Sequence, residues 1–140
     1  MLVEPALSSD YEAVRALDRT LIGVRDRAKT LREWITRREC LVARAHDGNI
    51  VGFAVANCSF FAQSFIVLLV VHENHRRRGG ASALIRSIEA RSPTPKLFTS
   101  TNESNAAMQV VCESLGFVRS GVIENLDEGD PEIIYFKRLR

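Results

Sequence analysis

Apolar and polar residues follow two different periods along the chain, and together they predict a mixture of helices and strands. Val14 and Leu17 recur at helical spacing behind the stretch SSDYE, in which Ser9 and Glu12 have the spacing of a capping box. A second helix is predicted from Arg25 to Arg38. The first 38 residues therefore read as a short strand over residues 2–4 followed by two helices.

From Cys40 onward the pattern changes to apolar and β-branched runs, which are typical of strands. The stretches CLVARA and IVGFAVANC flank the sequence His46-Asp47-Gly48-Asn49, and its Asp-Gly pair predicts a hairpin turn. The run from Ser64 to Val71 is apolar almost throughout. It predicts a central strand that is covered on both faces.

The second half of the chain alternates helices and strands. A helix is predicted from about Ala81, ending before Pro93, and the strand KLFTS follows it. The segment from Asn105 to Leu115 is predicted to be helical, with Gly116 as its C-terminal stop. Two strands, FVRSGVIEN and EIIYFKRL, close the chain. The order β-α-α-β-β-β-α-β-α-β-β predicts an α/β domain over residues 1–140 with helices on the faces of a mixed sheet.

Composition excludes several classes of protein. The chain has 140 residues, 46% of them apolar and 26% charged, and its net charge of +2 creates no strong field toward nucleic acid or membranes. Cys40, Cys58 and Cys112 are far apart and form no CxxC pair, so neither a disulfide framework nor a metal site is predicted. No signal peptide or membrane span is indicated, and we expect a cytoplasmic protein.

The stretch HENHRRRGGASALI carries the most specific chemistry in the sequence. It joins the predicted strand ending at Val71 to a helix, and the first N–H groups of a helix have no partner within it. Gly79 and Gly80 remove side-chain bulk, and the arginines at positions 76–78 supply guanidinium donors that suit phosphate. This junction is predicted to bind a phosphorylated ligand. Alternatively, these arginines are solvent-exposed surface charges or form a patch that binds nucleic acid.

Two motifs suggest which ligand this is. The chain has neither GxxxxGK[ST] nor a GxGxxG followed by an acid, so the nucleotide and dinucleotide loops are not indicated. The spacing from Arg76 to Ala81 is Arg-x-x-Gly-x-Ala, which is similar to the acyl-CoA pyrophosphate motif of the GNAT superfamily of N-acetyltransferases. The later stretch NAAMQVVCESLGF resembles the second motif of that family. The predicted order of elements resembles the family fold from about Leu2 to Leu139.

This resemblance implies a GNAT fold, a mixed and mostly antiparallel sheet of about seven strands with about four helices, and acetyl-CoA as cosubstrate. The turn would hold the CoA pyrophosphate, the end of the strand before it would pair with the pantetheine arm, and the Asn of the second motif would contact the cofactor. The cofactor-binding residues implied in this way are Leu69, Val70, Val71, Arg76, Arg77, Arg78, Gly79, Gly80, Ala81, Ser82 and Asn105.

The resemblance also implies direct transfer of an acetyl group from CoA to a primary amine, helped by a general base and a general acid. Many members of the family have a Tyr acid in the second-motif helix, and the matching residue here is Cys112. Tyr135 on the last strand is a substitute acid without motif support. Glu73, beside the turn, is a candidate base.

The acceptor is a small-molecule or protein amine that the sequence does not distinguish. The resemblance implies that the segment of about Asp18 to Asp26 and the last hairpin shape its pocket. Acidic residues in that hairpin could attract a cationic amine, namely Glu124, Asp127, Glu128, Asp130 and Glu132. No nucleic-acid or membrane partner is expected, and a homodimer is left open. A CoA-binding sensor with little catalysis is the second hypothesis, and a small basic nucleic-acid binder is the third.

Overall fold

The structure is a computed structural model and describes residues 1–21, 26–76 and 78–140. Within these ranges it contains seven strands and four α-helices, in the order that the apolar pattern predicts. The elements are β1 (Leu2–Pro5), α1 (Tyr11–Asp18), α2 (Ala28–Thr36), β2 (Cys40–Arg44), β3 (Ile50–Phe60), β4 (Gln63–Val71), α3 (Gly80–Arg91), β5 (Lys96–Asn102), α4 (Ala106–Ser114), β6 (Val118–Ile123) and β7 (Glu132–Arg138). None of the described helices is long and apolar enough to span a bilayer.

The seven strands form one sheet in the order β1-β2-β3-β4-β5-β7-β6. The pairs β1–β2, β2–β3, β5–β7 and β6–β7 are antiparallel, and β4–β5 is parallel. The prediction of a mixed, mostly antiparallel sheet of seven strands with four helices is therefore confirmed. β4 is the central strand, as expected, but it is not covered on both faces. Ser64, Ile66 and Val70 are buried, whereas Phe65 and Val67 are partly exposed.

The chain folds as two compact units, and the first comprises residues 1–56 and 68–88. Its helices α1 and α2 bury the apolar faces that their spacing predicts, including Val14 and Leu31. The hairpin turn between β2 and β3 is also confirmed, with Gly48 at a φ of 83°. The prediction that residues 1–140 form one domain stays a prediction.

The start of α1 differs from the predicted capping box at Ser9. Residues Ser8–Asp10 form a short 3-10 helix, and α1 begins at Tyr11. The Asp10 carboxylate accepts a hydrogen bond from the Leu7 N–H at 2.8 Å, and the Arg44 guanidinium donates to the same oxygen at 2.7 Å. A tertiary ion pair thus organises this terminus in place of the local Ser9–Glu12 pair.

Helix α2 is shorter than predicted. It covers Ala28–Thr36, and the expected start at Arg25 lies outside the described residues. At its C-terminus the Glu39 N–H binds the Trp34 carbonyl at 2.9 Å and the Arg38 N–H binds the Ile35 carbonyl at 3.0 Å. These two bonds form a Schellman motif with Arg38 in the left-handed position, at a φ of 60°.

The second unit comprises residues 57–67 and 89–140. Strands β5 and β7 pair along their whole lengths, and their side chains alternate between two faces of the sheet. Leu97, Thr99 and Tyr135 point to a buried face. Helix α4 lies on this face, because the Arg119 side chain, which is opposite Tyr135 in the register, donates to the side chain of Gln109 on α4 at 3.3 Å.

Candidate functional site

The predicted phosphate-binding turn lies in the first unit, between β4 and α3. The His72 N–H donates to the Val51 carbonyl at 2.7 Å, so the end of β4 is held against β3. Residues Glu73–His75 then form one 3-10 turn, in which His72 Nδ1 accepts from the Asn74 N–H at 3.1 Å. This turn directs the chain from the strand toward the start of α3.

Two adjacent glycines serve different purposes at the start of α3. Gly79 has a φ of 83°, a conformation that residues with a Cβ rarely adopt, and a Cβ there would meet no atom within 4 Å. Gly80 is buried, and a Cβ there would lie 3.3 Å from Cγ1 of Val71. Gly79 therefore permits the backbone direction, and Gly80 permits the close approach of α3 to the end of β4.

The first turn of α3 presents N–H groups that have no carbonyl partner within the helix. The first helical hydrogen bond runs from the Ala83 N–H to the Gly79 carbonyl at 2.9 Å. The N–H groups of Gly80, Ala81 and Ser82 precede this bond, so the helix provides no carbonyl for them. They lie where the dipole of a twelve-residue helix concentrates positive charge. This arrangement suits an anionic oxygen.

Charged residues lie close in sequence to these donors. Arg76 and Arg78 are exposed on the same turn, and Arg77 lies outside the described residues. Glu73 is exposed as well, three residues before Arg76. Within the described part of the chain, no three metal-ligating side chains come together. The turn is therefore a basic, backbone-lined site for an anion, with one carboxylate nearby in sequence.

Strand β4 continues toward this turn beyond the end of its ladder with β5. Among the described residues its ladder with β5 joins Ser64–Ile66 to residues 97–99 and ends there. The predicted pantetheine-binding residues Leu69, Val70 and Val71 lie beyond the end of this ladder. Val70 is buried, while Leu69 and Val71 are partly exposed. Backbone groups of this part of β4 can therefore pair with an extended ligand.

Asn105 belongs to the second unit and caps α4. Its Oδ1 accepts a hydrogen bond from the Met108 N–H at 3.1 Å, and the residue is exposed. The side chain therefore has a structural role through its Oδ1. Its amide nitrogen takes no part in the cap and is the group that could contact a ligand.

Cys112 lies in the core of the second unit, with no exposed surface. Burial, together with the negative charge of Glu113, raises the pKa of its thiol to about 11. The thiol therefore stays protonated at neutral pH. It lies on the apolar side of α4, as is typical of a cysteine that serves only as a small apolar residue in the core.

Tyr135, the other candidate acid, is also fully buried in the second unit. Its hydroxyl has no hydrogen-bond partner in the described part of the chain. Buried hydroxyls are normally paired, because leaving one unpaired costs about 1–3 kcal/mol. The Tyr135 hydroxyl is therefore a buried polar group whose hydrogen bond is not satisfied by the described residues.

The acidic hairpin is more ordered than its sequence indicates. Asp130 accepts two hydrogen bonds from Ser104, at 3.0 Å from its N–H and at 2.6 Å from its hydroxyl. Asp127 accepts one from the Asn102 amide at 2.9 Å. Sequence reasoning missed these anchors, although the polar stretch TSTNESN, which covers the end of β5 and the three residues after it, is the signal that could have indicated them. The loop between β6 and β7 is thus fixed to the end of β5.

The connection between α1 and α2, predicted to shape the acceptor pocket, is described only in part, because residues 22–25 lie outside the described ranges. Two ion pairs secure its ends. The Arg27 guanidinium binds both oxygens of Asp18, at 2.8 and 2.9 Å, and the Arg15 guanidinium binds Asp26 at 2.7 Å. Asp18 is only 2% exposed, so its charge is balanced by Arg27 within the protein.

Comparisons with known proteins agree with the motifs. Residues 10–117 match the model of the acetyltransferase (GNAT) family. A GNAT-family acetyltransferase from Bacillus cereus is 40% identical, with a TM-score of 0.92 over 98% of this chain and 96% of the other. The ribosomal-protein-S18-alanine N-acetyltransferase of Escherichia coli is 19% identical, with a TM-score of 0.83 over 99% of this chain and 93% of the other.

A third structure, YncA from Salmonella typhimurium, was determined with its cofactor acetyl-CoA. It is 18% identical, with a TM-score of 0.83 over 100% of this chain and 94% of the other. A search of curated proteins gives no significant match. The two more distant structures share the fold, and the family model and the Bacillus cereus protein carry the assignment. The chain therefore belongs to the acetyltransferase (GNAT) family and is an acyl-CoA-dependent acetyltransferase.

Proposed function

We propose that this enzyme binds acetyl-CoA at the turn between β4 and α3 and transfers the acetyl group to a primary amine. The observation that carries the proposal is the start of α3, where three N–H groups precede the first helical bond beside Gly79 and exposed arginines. This combination suits a pyrophosphate. The acetyl-CoA bound to the Salmonella typhimurium neighbour is consistent with it.

The pantetheine arm extends along the second half of β4. This placement is supported by the early end of the β4–β5 ladder at Ile66, which leaves the backbone of Leu69–Val71 without a strand partner on that side among the described residues. Main-chain groups would then hold most of the cofactor, including those of Gly80, Ala81 and Ser82. Side-chain changes at these positions are expected to affect binding less than changes in backbone conformation.

The transfer is a direct attack in a ternary complex. The amine nitrogen, once neutral, adds to the thioester carbonyl, the bond between carbon and sulfur breaks, and the CoA sulfur leaves as a thiolate. The amine must lose a proton and the thiolate must gain one. Glu73 is the proposed base, because it is the carboxylate nearest in sequence to the cofactor turn. The anchored loop between β6 and β7, with Asp127 and Asp130, is proposed to attract the cationic acceptor.

Tyr135 is the proposed proton donor to the thiolate. Tyr135 and Cys112 are both fully buried. Tyr135 is favoured because its hydroxyl lacks a partner among the described residues, whereas the pKa of the Cys112 thiol is raised to about 11. A Tyr135→Phe variant should keep or slightly raise stability, because it removes an unpaired buried hydroxyl. Its kcat should fall about a hundredfold to ten-thousandfold with little change in the KM for acetyl-CoA.

The measurement is steady-state kinetics beside urea unfolding, with Cys112→Ala as the comparison. A Tyr135→Phe enzyme with unchanged kcat would remove Tyr135 from the reaction and return the donor role to Cys112. The acceptor class is tested with a panel of small amines, amino acids and peptides, by following acetylated product with mass spectrometry. Turnover of at least one primary amine is expected. Binding of acetyl-CoA with no amine turned over would favour a sensor.

A further inference from the structure

Five phenylalanines form one continuous group in the second unit. The closest ring centroids are 4.9–5.2 Å apart, and the ring of Phe60 stacks on that of Phe65. The five, with Val118, are called the aromatic face below, and its members are Phe60, Phe61, Phe65, Phe98, Phe136 and Val118.

The aromatic face follows from the strand register. Phe65, Phe98, Phe136 and Val118 are directly opposite one another on β4, β5, β7 and β6, so they form a row across four strands. Phe65, Phe98 and Phe136 are partly exposed and Val118 is 58% exposed. The next residues on β5 and β7, such as Leu97 and Tyr135, are buried on the other face. A sheet with one covered face usually presents polar residues to water on the other. Here it presents aromatic ones, which is typical of an interaction surface.

The turn at one end of this row exposes a further ring. Phe61 and Ala62 connect β3 to β4 with φ angles of 50° and 62°, a left-handed pair that a two-residue hairpin normally fills with Asn-Gly. Phe61 is nevertheless 85% exposed. A bulky ring on a backbone that disfavours it does not stabilise the isolated chain, and its exposure is consistent with a contact to a partner.

The edge of the sheet is less suitable than the aromatic face for binding a partner. β6 is the last strand, and its register with β7 shifts between Arg119 and Gly121. Such a bulge twists an edge strand and hinders pairing with another strand. A partner is therefore expected on the aromatic face and not along the edge.

The charges around the aromatic face are self-complementary. Lys96 and Arg138 are opposite each other at one end of the β5–β7 pair, and Asn102 and Glu132 are opposite each other at the other end, next to the acidic loop. We propose that the aromatic face binds the same face of a second copy of this chain, related by a two-fold axis near Thr99. The axis is perpendicular to the strands and lies in the interface.

This arrangement places the basic end of each copy over the acidic end of the other. Lys96 and Asn102 are six residues apart on β5, so the two ends are separated by about 20 Å, with the aromatic residues between them. Each dimer then has two identical contacts between the basic end of one copy and Glu132 of the other. An isologous interface requires this self-complementarity.

The first test is sedimentation equilibrium of the full chain over a range of concentrations. The wild type should dimerise, and Phe61→Asp should weaken the dimer at least tenfold, because Phe61 lies at the basic end of the face, where the new carboxylate would meet the acidic end of the other copy. Val110→Ser is the matched control, since Val110 is also exposed but lies on α4, on the other side of the sheet. It should not change the dissociation constant.

The second test exchanges charges between copies. Lys96→Glu and Glu132→Lys should each weaken the dimer, because each places like charges opposite each other. Mixing the two variants should restore association, since both contacts in the mixed dimer are again attractive. Circular dichroism verifies that each variant folds. A monomeric wild type, a dimer insensitive to Phe61→Asp, or a mixture that associates no better than its components would each overturn the proposal.

Discussion

The three cysteines occupy different environments, although the sequence gives them no distinguishing context. Burial, with a smaller effect of the Asp10 charge, raises the pKa of Cys40 to about 12, and the pKa of Cys112 is raised to about 11. Cys58 is exposed. Because the thiolate is the reactive form, only Cys58 should react with a disulfide reagent in dilute native protein at neutral pH.

All three thiols should react with the reagent in concentrated urea. In a native Cys58→Ser variant, no thiol should react. Rapid reaction of two or three thiols in the folded wild type would show that the core around Cys40 or Cys112 is open to solvent.

Asp10 links the start of α1 to β2 through Arg44. Burial alone would raise the pKa of Asp10, but the hydrogen bonds from Arg44 and the Leu7 N–H outweigh it, and the pKa lies below its usual value of 3.8. A lowered folded pKa contributes stability above the unfolded pKa, and this contribution is lost as the pH falls through the folded pKa.

We therefore expect Asp10→Asn to lower the free energy of unfolding by about 1–3 kcal/mol at pH 7. The difference from the wild type should shrink as the pH falls below 3.8. Urea unfolding of both proteins at pH 7 and at a pH below 3.8 measures this difference in the free energy of unfolding. An equal difference at both would mean that the carboxylate charge contributes nothing.

At the scale of elements, two helices end in the same motif with different residues. α4 ends with Gly116 at a φ of 91°, and the Phe117 N–H binds the Cys112 carbonyl at 3.0 Å. α2 ends in the same way but with Arg38 in the left-handed position. The glycine made the end of α4 predictable, whereas Arg38 gave no such signal, and α2 was predicted too long.

Arg38→Gly should therefore stabilise the protein by about 0.5–1 kcal/mol, because glycine adopts a positive φ without steric cost. Gly116→Ala should destabilise it by about 1 kcal/mol for the converse reason. Thermal and urea unfolding measure both. Loss of stability in Arg38→Gly would mean that contacts of the arginine side chain outweigh the backbone strain.

At the scale of the whole molecule, periodicity and two motifs were enough to predict the order of elements, the mixed sheet and the family. They worked because the apolar spacing and the turn glycines are local signals. The unpaired hydroxyl of Tyr135, the anchoring of Asp130 by Ser104 and the aromatic row through Phe98 were not predictable in this way. Each depends on strand register or on side chains distant in sequence, which no local pattern contains.

The central claim is that the turn between β4 and α3 holds acetyl-CoA, and calorimetric titration with acetyl-CoA tests it most directly. The wild type should bind, and an Arg78→Glu, Gly79→Asp double variant should lose binding, because it places two negative charges at the helix N-terminus and strains a residue with a φ of 83°. A control variant, Arg86→Glu, Gly129→Asp, makes the same charge change on the exposed surface of α3 and at a glycine with a φ of 74°. It should bind like the wild type. Equal binding by wild type, double variant and control would contradict the assignment of the cofactor to this turn.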